Sequence, residues 1–260
     1  MIAEIHSKIT KHNSNLSEIS EDELTGNFFG HLRYIPFNEG LKPILKNAVF
    51  PPAVADLLEG IHTEFWNHNI EFWPYDREGE LDVYIEFDYI AIGIEVKYTS
   101  GLSSDDDVDC SLSDEKKAAE RSRNQLQREA RIISRRAKDK KKILLLVGDA
   151  MACVDIYTNI VKRKLFSGMD VLFGYATWQS LLQELHKLKV DNPYSSLVIS
   201  DLVALLTRKG FDQFQTMEIA IPYFVSCDEY YRFEYLIENK SFFEKEVQIK
   251  VEGDCHYEFK

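Results

Sequence analysis

Residues 79–98 have the sequence Gly-Glu-Leu-Asp-Val-Tyr-Ile-Glu-Phe-Asp-Tyr-Ile-Ala-Ile-Gly-Ile-Glu-Val-Lys-Tyr, and this stretch decides the fold. Apolar residues alternate with polar or small ones in two runs, 80–87 and 90–98, which predicts two β-strands. Only Asp88 and Tyr89 separate the runs, and two residues are the length of a tight hairpin turn. The two strands are therefore expected to pair antiparallel, with paired positions whose numbers sum to 177.

This register places Asp82 directly opposite Glu95 on one face of the sheet, with Lys97 two residues further along. Because opposed like charges destabilise a sheet, a cation is expected there, and carboxylates are ligands of Mg²⁺. Ala91 and Gly93 precede Glu95 on the same face, and their small size is expected to admit a substrate backbone. The alternative is a half-exposed strand on which Glu95 and Lys97 form an ordinary surface pair.

Working outward from the hairpin, strands alternate with helices, which indicates an α/β fold with some parallel pairing. Ser20 and Glu23 have the spacing of a capping box at the start of the first helix. Two further strands are expected over 143–148 and 171–176. The predicted helices cover residues 21–34, 53–67, 155–166 and 197–208, with another that begins near Thr177.

Charge is distributed unevenly along the 260 residues, whose formal net charge is -12. Residues 116–142 contain twelve basic and three acidic side chains, a local +9 that leaves -21 for the rest. Small and apolar residues recur in this segment at helical spacing, which predicts a helix with a buried stripe. Three acids are too few to neutralise the basic face, so we expect it to contact phosphates, through Arg121, Arg128, Arg131 and Arg135. The alternative is a solvated helix surface.

Composition excludes a disordered or fibrous chain, since 45% of the residues are hydrophobic. The four cysteines form no CxxC pair and are expected to be free thiols in a reducing compartment. Neither a signal peptide nor a run of 18 apolar residues is present, so we expect a cytoplasmic protein without membrane association.

The hairpin and the elements around it resemble the core of the PD-(D/E)XK nuclease superfamily, the restriction-endonuclease-like fold. The resemblance covers about residues 20–188 and implies a mixed β-sheet sandwiched by helices. Asp82 and Glu95 are similar to the metal-binding acids of that superfamily, and Lys97 to its lysine. It further implies as metal or catalytic residues the carbonyl of Val96, the helical Glu23 and Gln125.

Two of these residues have an ordinary structural alternative. Glu23 serves as the capping-box partner of Ser20 in one reading, and Gln125 as a solvent-facing helix residue in another. The chain also departs from the superfamily pattern. Leu81 takes the place of the proline before Asp82, and Glu129 stands where exonuclease-type members have tyrosine, which argues against an exonuclease that acts at ends.

The resemblance implies a nuclease core over residues 1–190 and a C-terminal helix with an aromatic-rich α+β extension over 191–260. The implied activity is Mg²⁺-dependent hydrolysis of phosphodiester bonds, with Mn²⁺ as a substitute. The expected substrate is double-stranded DNA, and the expected setting is a bacterial restriction or anti-phage defence system. A homodimer or a targeting partner is expected. The alternative is a catalytically silent member of the superfamily that serves as a binding or regulatory subunit.

Overall fold

The computed structural model describes residues 21–98, 101–105 and 124–212. The helices in these ranges are α1 Glu21–Leu32, α2 Leu41–Lys46, α3 Ala53–Glu59, α4 Gln125–Arg136, α5 Ala150–Lys162, α6 Trp178–Lys187 and α7 Pro193–Arg208. The strands are β1 Ile70–Phe72, β2 Tyr75–Asp76, β3 Gly79–Glu80, β4 Val83–Glu86, β5 Ile90–Val96, β6 Lys141–Gly148 and β7 Val171–Thr177.

Five strands form one mixed sheet in the order β1-β4-β5-β6-β7. The pairs β1–β4 and β4–β5 are antiparallel, whereas β5–β6 and β6–β7 are parallel. Strands β2 and β3 form a separate small hairpin. The helix α4 connects β5 to β6, and α5 connects β6 to β7, as parallel neighbours require.

Helices cover both faces of the sheet. The face that carries Ile92 and Ile94 packs against α1, α2, α3, α6 and α7 in the larger core cluster. The opposite face, with Ala91 and Leu144, packs against α4 and α5. Every residue of β5 is buried, so this strand lies at the centre of a helix–sheet–helix sandwich. The predicted α/β class and the parallel pairing are confirmed.

The register predicted for the hairpin is confirmed. Val83 pairs with Ile94 and Glu86 with Ala91, and both pairs sum to 177. The backbone N–H of Phe87 donates to the Ile90 carbonyl at 2.8 Å, which closes the two-residue turn. The first strand is shorter than predicted, however, because Gly79 and Glu80 pair with β2 instead.

Several predicted helices have different bounds in the structure, and two of them differ most. The second ends at Glu59 rather than near residue 67, because Gly60 caps it where Tyr89 approaches closely. A Cβ at position 60 would lie 2.5 Å from the Tyr89 hydroxyl oxygen. The helix predicted over 155–166 begins earlier, since the Asp149 side chain accepts from the Met151 N–H and caps its N-terminus. Ser20, the predicted cap of α1, lies outside the described residues.

The helix α7 packs on the sheet, since its Leu202 and Leu206 are buried in the larger core cluster. The compact unit that contains it runs from Met1 to Gln213, and the predicted division after residue 190 stays a prediction. The aromatic-rich segment beyond it lies outside the described residues. Among the helices described here, none is long and apolar enough to cross a membrane.

Candidate active site

Asp82 lies immediately before β4, where the register carries it opposite Glu95. Its Oδ2 accepts a hydrogen bond from the Val96 N–H at 2.7 Å. Burial, followed by the neighbouring charge of Glu95, raises the pKa of Asp82 well above its usual value, although the Val96 hydrogen bond acts in the opposite direction. The predicted opposition of two carboxylates is therefore present, with Glu95 buried and Asp82 half-buried.

Glu95 receives two donors on the same oxygen. Its Oε1 lies 2.7 Å from Lys97 Nζ and 2.5 Å from Gln125 Nε2. The side chains of Glu95 and Lys97 are only 4% and 8% exposed, so they do not form the surface pair that was the alternative. Gln125 is also buried and is held from its other end, where its Oε1 accepts from the Ser103 N–H. Its solvent-facing alternative is excluded.

Lys97 is fixed by its backbone as well as by its side chain. Its N–H donates to the Val147 carbonyl at 2.7 Å, and its own carbonyl accepts from Trp178 Nε1 at 2.9 Å. Burial acts to lower the pKa of the ammonium, but the adjacent Glu95 carboxylate and the acids around it outweigh burial, so the pKa is raised. Lys97 is accordingly a positive charge at neutral pH rather than a proton acceptor.

A cavity of about 490 Å³ opens beside Lys97. It lies at the carboxyl ends of β5 and β6, since Lys97 follows Val96 and Asp149 follows Gly148. Ligands of open α/β sheets commonly bind at this edge. Lys209 and Phe211 also line it. The cavity therefore borders the buried lysine.

Glu129 belongs to the site, although the sequence did not predict a role for it there. It is 3% exposed and lies one helical turn after Gln125 on α4. Burial, then the charge of Glu95 and a hydrogen bond between the two carboxyl groups, raise the pKa of Glu129 well above its usual value. The signal available in the sequence was the four-residue spacing from Gln125, which places both side chains on one helix face.

Glu129→Gln should stabilise the metal-free protein, and more so as the pH rises. A carboxyl whose pKa is raised by folding binds its proton more tightly in the folded state, so wild-type stability falls with rising pH above the ordinary value of 4.5. Glutamine does not titrate and escapes this loss. Thermal unfolding in the presence of a chelator between pH 4 and 9 measures the difference in stability between the two proteins. The ratio of protonated to ionised carboxyl changes roughly tenfold per pH unit. The exposed Asp139→Asn is the control, and parallel wild-type and Glu129→Gln profiles would contradict the assignment.

Two acids at the start of α1, Glu21 and Asp22, act on the site. Glu21 Oε2 lies 3.7 Å from Lys97 Nζ, and Glu21 Oε1 accepts from the Tyr98 N–H at 3.2 Å. The charge of Asp22 contributes to the raised pKa of Asp82. Glu23 instead accepts from Asn27 on its own helix, at 3.5 Å. Glu21 is thus the helical glutamate that contacts the lysine, and the metal-binding role of Glu23 stays a prediction.

The small residues before Glu95 do not make room for a substrate backbone, and this expectation was wrong. Ala91 and Gly93 are fully covered by α4, which packs on this face. A Cβ at Gly93 would lie 2.4 Å from Ile133 Cδ1 and 2.9 Å from Ile133 Cγ1. Glycine is needed here so that the helix carrying Gln125 and Glu129 can approach the strand.

Arginines of α4 are engaged by the β2–β3 hairpin. Arg131 Nε donates to Glu78 Oε2 at 2.6 Å, Arg135 pairs with Asp76 at 2.5 Å and also with Glu78, and Arg128 donates to the Glu78 carbonyl at 2.7 Å. Burial alone would raise the pKa values of Asp76 and Glu78, but hydrogen bonds from the arginines outweigh it and lower both. Acids from outside the segment therefore neutralise much of its charge.

This pairing reduces the positive charge that the basic segment presents to nucleic acid. The expectation that the segment's own three acids leave its face uncompensated did not consider the hairpin, which lies more than fifty residues earlier. Phosphates would have to take the place of carboxylates at Arg131 and Arg135, and of the Glu78 carbonyl at Arg128. Arg121 lies outside the described residues. Contact of these four arginines with nucleic acid stays a prediction.

The carboxylate oxygens of Asp82 and Glu95 are ligands of the type that Mg²⁺ prefers. Within residues 21–98, 101–105 and 124–212, no group of three or more His, Cys, Asp or Glu side chains is arranged to hold a metal ion. Mg²⁺ commonly needs only one or two carboxylates, with water and substrate phosphate as its other ligands. Within the described part of the chain, Glu129 Oε2 is a buried oxygen without a hydrogen-bond partner, and Glu129 interacts with Asp82 and Glu95. An excess of buried carboxylates over nearby cations is what a divalent ion would offset.

No family model matches the chain, and no significant match is found among curated proteins or among solved structures.

Proposed function

We propose that this protein is a metal-dependent nuclease that hydrolyses phosphodiester bonds. The observation that carries the proposal is the convergence of Asp82, Glu95, Lys97 and Gln125 in one cluster beside a cavity. Two opposed carboxylates and a charged lysine suit phosphoryl transfer, in which positioning and electrostatic stabilisation do most of the work. No P-loop or nucleophilic serine motif in the sequence competes with this assignment.

In this mechanism Asp82 and Glu95 would hold the cation, with the Val96 carbonyl and Glu23 as the further ligands that the resemblance implies. The bound cation would polarise the scissile phosphate and lower the pKa of a water molecule. Lys97 supplies a fixed positive charge where negative charge develops on the phosphate. Gln125 and Trp178 keep Glu95 and Lys97 in place through the hydrogen bonds described above.

The proposed substrate is double-stranded DNA cut internally, in a bacterial restriction or anti-phage defence system. The absence of the tyrosine that exonuclease-type members place at position 129 supports internal cleavage over digestion from ends. A second copy of the chain or a targeting protein would supply the recognition surface, since the arginines of α4 are occupied by the hairpin.

A second candidate is a silent subunit of a nucleic-acid-processing complex. One observation favours it: Lys97 and Gln125 both bind the oxygen of Glu95 that would otherwise face a ligand. A protein that never binds metal would be stabilised in this closed arrangement, because the lysine offsets the buried charge.

Incubation of the purified protein with supercoiled plasmid, single-stranded DNA and RNA tests the proposal. We expect plasmid nicking and linearisation with Mg²⁺ or Mn²⁺ and none with a chelator. Glu95→Gln should abolish it, whereas Asp88→Asn, which removes an exposed acid from the turn of the same hairpin, should cut like the wild type. Failure to cut all three substrates, alone and with candidate partners, would favour the silent subunit.

A further inference from the structure

The cavity beside Lys97 has a lining whose other residues the proposed mechanism does not use. It contains a second lysine together with aromatic and apolar side chains, Lys209, Tyr98, Phe211 and Met151. Grooves that bind nucleic-acid strands combine cations for the phosphates with aromatic side chains for the bases. The mixed lining therefore favours a nucleotide over an inorganic anion or a purely apolar ligand.

Among the described residues that line the cavity, Asp149 is the acid, and the fold supplies a donor to each of its oxygens. Its Oδ1 accepts from the Met151 N–H at 3.0 Å, which caps α5, and its Oδ2 accepts from Gln179 Nε2 at 2.8 Å. These donors offset part of the negative charge that Asp149 brings to the cavity.

Lys209 is held at the cavity by the way in which α7 ends. It is the C-cap residue of the helix, and Gly210 follows it with a φ of +82°. The Gly210 N–H donates to the Thr207 carbonyl at 2.9 Å, and the Phe211 N–H donates to the Leu206 carbonyl at 3.1 Å. This pair of bonds is a Schellman cap, which fixes the backbone that follows Lys209.

Phe211 connects this cap to Lys97. Its buried ring stacks on Trp178 at a centroid distance of 5.6 Å and meets the ring of Tyr98 edge-on at 5.7 Å. Trp178 in turn donates through its indole N–H to the Lys97 carbonyl. The end of α7 and the strand that carries Lys97 therefore pack as one unit, and this packing fixes the backbone of both lysines.

Lys209 is the lysine of the cavity that a phosphate reaches more readily. The Lys97 side chain is buried against the Glu95 carboxylate, whereas Lys209 is half-buried. Lys209 Nζ lies 5.3 Å from the centroid of the Tyr98 ring. An aromatic ring attracts an ammonium group without cancelling its charge, unlike the carboxylates that bind the arginines of α4.

We propose that Lys209 binds a backbone phosphate of the substrate strand, so that the end of α7 forms a wall of the substrate site. The proposal rests on the proposed function and adds a substrate-binding residue from outside the hairpin and α4. Because acids of the β2–β3 hairpin pair with Arg131 and Arg135, part of the phosphate affinity has to come from another element. Lys209 supplies it at the cavity that Lys97 borders.

Equilibrium binding of a fluorescently labelled DNA duplex, measured by anisotropy in a chelator between about 50 and 200 mM NaCl, tests this without cleavage. Each phosphate contact contributes about 0.9 to the slope of log K against log salt concentration. We expect Lys209→Gln to reduce the slope by about that amount and to weaken binding to unrelated sequences alike. Lys209→Arg keeps the charge and should retain the wild-type slope.

Lys162→Gln is the matched control. It removes an exposed lysine from the last turn of α5, the helix whose first turn lines the cavity, and it should keep the wild-type slope. The melting temperature of each variant shows that it is folded. A charge at the end of α7 that only stabilised the helix would change this temperature and leave the slope unaltered.

The outcomes separate this proposal from the proposed function. A wild-type slope in folded Lys209→Gln overturns the role of Lys209 and leaves the nuclease intact. A reduced slope in a protein that cuts neither plasmid, single-stranded DNA nor RNA keeps the phosphate contact and overturns the nuclease. Absence of DNA binding by the wild type at the lowest salt concentration overturns both.

Discussion

Replacing Lys97 by methionine should reduce the single-turnover rate of DNA cleavage by about 10²–10³-fold, the effect of removing one preorganised electrostatic contact to a transition state. Methionine keeps the apolar stem, which begins beside Gly148, but removes the ammonium. The loss should appear in the rate constant at saturating DNA, because the charge acts where negative charge develops during the reaction.

Metal binding distinguishes this catalytic effect from collapse of the site. Lys97 Nζ lies 2.7 Å from Glu95 Oε1 and partly neutralises the carboxylates that would hold the cation. Lys97→Met should therefore bind Mn²⁺ at least as tightly as the wild type while cutting far more slowly. Cleavage that survives unchanged would remove Lys97 from the mechanism, and loss of both activities would indicate that the lysine only stabilises the fold.

Gly93→Ala should destabilise the protein by about 1–3 kcal/mol, the usual cost of overpacking a well-packed core. The added methyl group would lie 2.4 Å from Ile133 Cδ1. Ile133 is fully buried and β-branched, so it cannot swing aside without moving the helix. The displaced helix would carry Gln125 and Glu129 away from Glu95, and cleavage should fall together with stability.

A double-mutant cycle tests this explanation. Ile133→Val removes Cδ1, the atom closest to the added methyl group, and should recover part of the stability and activity lost in Gly93→Ala. Denaturant unfolding and the nicking assay report the two effects. Gly101→Ala is the control, since a Cβ there meets no atom of the described residues within 4 Å. Additive effects of the two substitutions would show that the helix does not rest on Gly93.

Much of the fold follows from local pattern. The alternation in residues 80–98 and the two-residue turn at Asp88 allow only one pairing that keeps the apolar face buried, so the register of Asp82 with Glu95 is predictable. The strands β6 and β7 are likewise continuous apolar runs, and their buried positions match the predicted ones within two residues. Helix α4 shows the predicted stripe, with Leu126 and Ile133 fully buried.

The hairpin β2–β3 shows where local pattern fails. Its strands are two residues long, too short to show periodicity, and the sequence predicts a single strand through residues 80–87. The pairing of Asp76 and Glu78 with Arg131 and Arg135 spans 53 to 59 residues of chain. Charge counted within one segment cannot reveal partners at that separation, which is why the basic face was overestimated.

By itself, the sequence determined the mixed α/β architecture and the opposition of Asp82 and Glu95, because strand period and turn length are local properties. Tertiary structure alone decided which helix covers Gly93, that Glu21 contacts Lys97, and that Glu129 acts on Glu95. Those contacts depend on how far each helix slides and rotates on the sheet, and close packing of buried side chains sets that position only when the whole core assembles.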